Sequence, residues 1–390
     1  MEMTLNGIHS STNIYSEPDL IRKAYSGELL PVTQVDVFRN AHLMFPVRTV
    51  CRGTSIRPLE KAGQTFPEFR IDSRGGRYDL FDYISRNRVS GLLVLKAGRV
   101  VFEYYDFGNN AATRWLSMSM AKSISTTLVG VAIRDGAISS VDEPVTAYLP
   151  QLIGTGYDDV TIRHVLQMTS GLQWNDSHAD PNSERRQMLE LQIAQRSDAI
   201  LQYVASRPRV ASPGEVWNYS TGETHVVGAL LRAATGRWAA DYLAETIWSK
   251  LGMESDATWW LEAPGGLEVA GSGFSATLRD YGRFGLFVLN DGVIGGTQVL
   301  PQGWIQDAGA PRLIAGKRVD YGYMWWPVAS QDKSFSDHAF SARGIFGQFM
   351  YLNCRRQVVV VVWSARSKPK DAEAILDNDF FNTVAENLDG

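Results

Sequence analysis

Four adjacent apolar residues, Leu92-Leu93-Val94-Leu95, a turn at Ala97-Gly98, and then Val100-Val101-Phe102-Glu103-Tyr104 predict a β-hairpin. Downstream the period changes. Ala121, Ile124, Leu128 and Val131 recur at helical spacing, with Ser119 at the start of the run and Gly136 as its C-cap. Further helical patterns lie over 161–168, 199–205, 223–234 and 242–251. Apolar runs over 346–352 and 358–363 flank the polar loop Asn353-Cys354-Arg355-Arg356-Gln357 and predict a second hairpin, and 371–388 reads as a terminal helix. Residues 1–75 are polar and punctuated by glycine and proline, which predicts an arm packed on the body.

Strand patterns near both ends of the sequence with helical patterns between them predict an α+β fold. One antiparallel sheet is formed from N- and C-terminal segments and flanked by helices, with a large, mainly helical insert. The expected units are the arm over 1–75, a sheet domain from 76–136 and 311–390, and a helical domain over 137–310. A ligand cleft belongs between sheet and insert.

Composition narrows the function classes. With 390 residues, 44% of them hydrophobic and 21% charged, the chain is globular and long enough for a sizeable core. A net charge of -4 without a basic cluster leaves no electrostatic footprint for nucleic acid. No segment reaches the roughly 18 consecutive apolar residues of a membrane span. The first seven residues show neither a basic nor an apolar leader region, so a cytoplasmic protein is expected. Cys51 and Cys354 are expected to be two buried thiols rather than a disulfide framework or a zinc site. No His-Glu-x-x-His occurs, and Glu223 with His225 is too small a set for a metal, so no metal and no cofactor are expected.

The chemistry centres on Ser119-Met120-Ala121-Lys122, which places a hydroxyl and an amine on one face of a helix start. Unpaired backbone N–H groups there favour the negative charge that develops on an attacked carbonyl oxygen. A desolvated lysine can lose its proton and act as the base. Ser-x-x-Lys recurs at Ser330 to Lys333 and Ser367 to Lys370, but only the Ser119 copy opens an apolar-periodic helix. The bland alternative is a capping serine followed by a solvated lysine. Tyr219, after the turn-like Pro213-Gly214, either reaches the cleft or packs in an aromatic core. The glycines of Phe340-Ser341-Ala342-Arg343-Gly344-Ile345-Phe346-Gly347-Gln348 allow a backbone to approach a ligand where that stretch opens the predicted strand. No Gly-x-Ser-x-Gly elbow is present.

In this order and at these separations, the three stretches resemble the penicillin-recognising serine hydrolases. That group includes class C β-lactamases, D-alanyl-D-alanine carboxypeptidases, family VIII carboxylesterases and 6-aminohexanoate-dimer hydrolases. The resemblance spans roughly 80–370 and extends to Val165-Leu166-Gln167-Met168-Thr169-Ser170-Gly171-Leu172, to the Gly273 to Gly285 segment and to Tyr321-Gly322-Tyr323-Met324-Trp325-Trp326. It implies a β-lactamase-like fold, Ser119 as nucleophile, Lys122 as base and Tyr219 as second member of the proton relay. The backbone N–H groups of Ser119 and Ile345 would form the oxyanion hole.

Two departures narrow the substrate. Ala342-Arg343-Gly344 lacks the family's usual cation at the first position, and Thr221 stands where the second motif usually has Asn. Both weaken a β-lactamase or D-amino-acid peptidase reading. They leave short-chain esters or linear amides such as 6-aminohexanoate oligomers, cleaved through an acyl-enzyme. A catalytically silent binding or scaffold protein of the same fold is the alternative from another class. Substrate contacts are expected from Arg343, Gly344, Trp174 and Asp176, although Asp176 also reads as a solvated loop acid. Trp325 either lines the pocket or packs in the core. The expected partner is a small ester or amide, with a homodimer as a compatible assembly and neither nucleic acid nor membrane.

Overall fold

The computed structural model describes residues 13–63 and 65–388. Its larger sheet has six antiparallel strands in the order Trp326–Pro327, Ala339–Gly344, Gln348–Asn353, Val358–Ser364, Val89–Lys96 and Arg99–Tyr105. The N-terminal hairpin thus pairs with C-terminal strands, Val94 opposite Val360 and Leu95 opposite Val359. Both faces of this sheet are covered. Leu93, Leu95, Val359 and Val361 enter the main core, whereas Leu92, Val94, Val358, Val360 and Val362 meet Phe380, Phe381 and Val384 of the terminal helix Asp377–Asn387. Burial on both sides is why these strands read as continuous apolar runs rather than alternating ones.

Several elements differ from the sequence expectation. Residues read as an arm form the helices Pro18–Ser26 and Pro31–Arg39 and the strand Val47–Val50. The prolines that looked like breaks open helices, where proline lacks nothing the first turn would use. Val47–Val50 joins a second, four-stranded sheet with Ala257–Trp260, Phe274–Thr277 and Arg114–Leu116. The two strands from the middle of the chain are buried along their whole length, so no period-two signal marks them. Helix Leu278–Leu289 also comes from that stretch and packs on the larger sheet. The third motif is not the entry to one strand. It is the strand Ala339–Gly344, a turn with Phe346 at φ 64° and Gly347 at φ 84°, and then Gln348–Asn353.

Helix Met120–Arg134 is buried along nearly all its length, and Gly136 follows its end at φ 75°. It lies against helix Thr221–Thr235 and strand Ala339–Gly344. The start of the buried helix therefore sits where helical layer and sheet meet.

Candidate active site

Ser119 is the N-cap residue of helix Met120–Arg134, but its hydroxyl makes no capping hydrogen bond to that helix. The preceding Met118 has φ 48°, a left-handed conformation unusual for a residue with a Cβ, and turns the chain sharply into the helix. The Ser119 Oγ instead lies 2.9 Å from Lys122 Nζ, which also donates to the carbonyl of Gly271 at 2.9 Å. Lys122 is only 1% exposed. The alternative of a capping serine and a solvated lysine does not describe this pair.

Burial disfavours the Lys122 ammonium and lowers its pKa to about 7, helped by the charges of Arg185 and Lys370 and opposed by Asp176. A substantial fraction is therefore the free amine at neutral pH. Tyr219 lies beside the same pair, with its ring centroid 5.2 Å from Lys122 Nζ. Burial and the Asp176 charge push its phenol well above the usual range, while a hydrogen bond with Ser119 works in the opposite sense. Lysine and tyrosine are thus pushed apart: burial favours the neutral amine of Lys122 and the neutral, protonated phenol of Tyr219.

The Tyr219 loop is pinned from two sides. Asn218 donates its backbone N–H to Met168 O at 3.0 Å and its side-chain amide to Trp174 O at 3.0 Å. Ser220 caps the following helix by accepting from Glu223 N. The buried Glu223 carboxyl accepts from Ser170 Oγ at 2.5 Å and Tyr157 Oη at 3.2 Å, which ties the loop around Ser170 to that helix. Asp176 joins the loops by accepting from Thr221 N at 2.9 Å and Trp174 Nε1 at 2.8 Å. Burial disfavours its charge, but His178, Lys122, Arg185 and the Trp174 N–H outweigh this and leave its carboxyl below the ordinary range. Asp176 is therefore an ordered, hydrogen-bonded carboxylate rather than a solvated loop acid.

Strand Ala339–Gly344 closes the other side. An added Cβ on Gly344 would lie 2.4 Å from Ser117 O and 2.9 Å from Met118 Cβ. Only glycine lets this strand end approach the turn that carries Ser119. Among the described residues, no carbonyl accepts from the backbone N–H of Ser119 or of Ile345. Both residues line a cavity of about 1380 Å³, together with Trp174, Asp176, Tyr219, Arg343 and Gly344.

Trp325 does not reach this cavity. It is fully buried, packed edge-on to Phe340 at 5.2 Å, and Trp326 lines the pocket instead. Trp326 opens the strand Trp326–Pro327 and Trp325 precedes it, so the pocket tryptophan is the neighbour of the expected one. Trp326 stands 5.8 Å from the Tyr219 ring and 4.7 Å from Tyr321, and Trp217 joins the same aromatic wall. The Gly271 carbonyl was also missed by sequence reasoning, because a backbone acceptor leaves no residue-type signal.

A family model described as Beta-lactamase matches residues 82–381. The chain belongs to the beta-lactamase family. Within this family it is similar to the 6-aminohexanoate-dimer hydrolase of Paenarthrobacter ureafaciens, with 29% identity over 348 residues that cover 84% of each chain. A Bacillus anthracis structure that carries the provisional name 6-aminohexanoate-dimer hydrolase superposes with TM-score 0.75 at 22% identity, covering 96% of this chain and 94% of that one. A family VIII carboxylesterase superposes with TM-score 0.61 at 17% identity over 79% of this chain and 94% of the other. These two structures establish the shared β-lactamase-like fold.

Proposed function

We propose that this serine hydrolase cleaves linear amides and short-chain esters through an acyl-enzyme on Ser119, with substrates of the 6-aminohexanoate-oligomer kind. The observation that carries this reading is the 2.9 Å contact between Ser119 Oγ and a fully buried Lys122 Nζ that loses its proton near neutral pH. Neutral Lys122 takes the Ser119 proton as Oγ attacks the substrate carbonyl. The oxyanion forms at the N–H groups of Ser119 and Ile345. As the intermediate collapses, Tyr219 gives its proton to the leaving nitrogen or oxygen, and the Lys122 ammonium restores it. The proton lost by serine thus leaves with the first product. Water then attacks the acyl-enzyme with Lys122 again as base, releasing the acid and regenerating Ser119.

The relative from Paenarthrobacter supports the amide side of this reading by its name, and Ala342 at the head of the third motif disfavours β-lactams. A cytoplasmic location is part of the proposal. It is supported by the unpaired Cys51 and Cys354, and no helix among the described residues is long and apolar enough to cross a membrane.

The test is labelling with a fluorophosphonate followed by peptide mapping, alongside turnover of p-nitrophenyl esters, a linear amide dimer and nitrocefin. The expected outcome is stoichiometric label on Ser119, with turnover of the esters and the amide and little of nitrocefin. Label elsewhere, or none, overturns the assignment, and rapid nitrocefin turnover replaces the substrate class with β-lactams.

A further inference from the structure

Part of the wall of the Ser119 cavity is built by residues that precede the family match at 82–381. Helix Pro18–Ser26 ends at Gly27, which takes φ 73° as its C-cap, and Ser26 and Glu28 on either side of that turn line the cavity. The helix is fastened to the helical layer. Arg22 donates through Nε and Nη2 to the two carboxylate oxygens of Glu190 at 2.9 and 2.7 Å. The buried Tyr25 ring stacks on His178 with centroids 6.2 Å apart, and the Arg185 guanidinium lies 4.5 Å from the centroid of the same tyrosine.

The turn is fastened to the sheet side as well. Gly27 O accepts from Lys368 Nζ at 2.9 Å, and an added Cβ on Gly27 would lie 2.9 Å from Pro369 Cδ. Buried Gln34 donates to Arg366 O at 2.7 Å. His178, Arg366, Lys368 and Pro369 all line the cavity too. Residues 18–34 therefore reach from one cavity wall to the other, and contacts on both sides hold the end of the first helix in place.

At about 1380 Å³ the cavity exceeds the roughly 300–1,000 Å³ of most small-molecule sites, which leaves room for a chain that continues away from the carbonyl held at Ser119. The contact offered at the helix end is one of shape. Ser26 Oγ already donates to Arg22 O at 3.1 Å. Burial lowers the His178 pKa to about 3 against the opposing pull of Asp176, so its imidazole is neutral at working pH.

We infer that the N-terminal segment walls the substrate site and that Ser26 is a specificity-determining residue, limiting the length of linear chain that can extend from the scissile bond. This inference rests on the proposed assignment of the Ser119 cavity as the substrate site. It goes beyond that assignment by naming what bounds the site at one end. A side chain larger than serine at position 26 takes up cavity space, and the longest substrates lose it first.

The experiment is a chain-length profile of kcat/KM on the full-length protein. p-Nitrophenyl alkanoates from acetate to decanoate vary the acyl chain, and n-alkyl acetates over the same range vary the leaving group. Ser26→Trp should lower the decanoate-to-acetate ratio by at least about tenfold relative to wild type, mainly through KM, because a misfit in a pocket of this kind costs binding. If the chain runs on the leaving-group side, the same truncation appears in the alkyl acetates instead. Ser26→Leu should shift the same profile in the same direction by less, and it carries the test if the tryptophan variant does not fold. A profile that matches wild type in both series, in a variant with an unchanged melting temperature, overturns the inference. Fluorophosphonate labelling of the wild-type protein reports on the hydrolase assignment independently. A labelled Ser119 with an unchanged profile removes Ser26 from the substrate wall and leaves the enzyme, whereas a wild-type protein that takes no label loses both.

Discussion

Gly344 and Ser117 touch through backbone alone, and a single methyl group at position 344 would lie 2.4 Å from the Ser117 carbonyl oxygen. This contact fixes the end of strand Ala339–Gly344 against the turn that delivers Ser119. The two proposed oxyanion donors come from sequence positions far apart, Ser119 and Ile345, and this backbone contact sets their relative position. Preorganised donors stabilise a developing charge only if they need not move when it forms.

Gly344→Ala should therefore separate the two donors. The expected result is a fall in kcat on the order of 10²-fold, the scale of losing one oxyanion donor. A loss of about 1–3 kcal/mol in stability should accompany it, because the obstructing atoms are mostly backbone. Stopped-flow acylation with a p-nitrophenyl ester and a thermal melt measure the two effects. Acylation at the wild-type rate would exclude the Ile345 N–H from the oxyanion hole.

The pH dependence follows from the Lys122 environment. In the proposed mechanism its working form is the free amine, so kcat/KM for an ester should rise with pH through an apparent value near 7 and fall about tenfold per unit well below it. Asp176 favours the ammonium, so Asp176→Asn should move the acid limb to lower pH. Lys370 disfavours it, so Lys370→Gln should move the limb to higher pH. The two variants shift the limb in opposite directions if Lys122 is the titrating base. A limb that stays in place in both belongs to another group.

Much of this arrangement is legible in the sequence because it depends on residue type at short range. Ser119 and Lys122 are neighbours by helical spacing alone, and the hairpins over 89–105 and 348–364 announce themselves by apolar runs with a turn between them. The misses have a common physical origin. The strand Val47–Val50 and its partner Ala257–Trp260 are short, and their pairing is set across a long sequence separation that no local period encodes. Lys122 is held by the carbonyl of Gly271, and Thr221 N is held by Asp176, contacts in which one partner is backbone. The sequence left Trp325 between pocket and core, and which of the two adjacent tryptophans meets the cavity is fixed only by tertiary contacts, the pairing of Trp326 with Ser341 and the packing of Trp325 on Phe340.

That pair gives a prediction of its own, since the two adjacent tryptophans should fail in different ways. Trp325→Ala leaves a void against Phe340 in the core and should cost about 3–5 kcal/mol, seen as a lowered denaturant midpoint. Trp326→Ala removes a cavity wall that packs on Tyr219 and Arg343, so KM should rise severalfold with a much smaller change in midpoint. Equal stability losses would mean that Trp326 serves the core as well.

The sharpest test of the proposed relay compares two leaving groups at Tyr219. An amine departs poorly unless it is protonated, whereas p-nitrophenolate departs unaided, so a hydroxyl that delivers a proton matters more for amides. Tyr219→Phe deletes that hydroxyl while keeping the ring against Trp326 and Tyr321, 5.8 and 6.0 Å away. The phenol is held protonated by burial, which suits it to donate rather than to accept. The expected outcome is a loss in kcat/KM larger by on the order of tenfold for a linear amide than for an activated ester, about 1.4 kcal/mol of additional transition-state stabilisation. Equal losses on both substrates would place Tyr219 in the activation of Ser119, and no loss on either would reduce it to a packing residue of the aromatic wall.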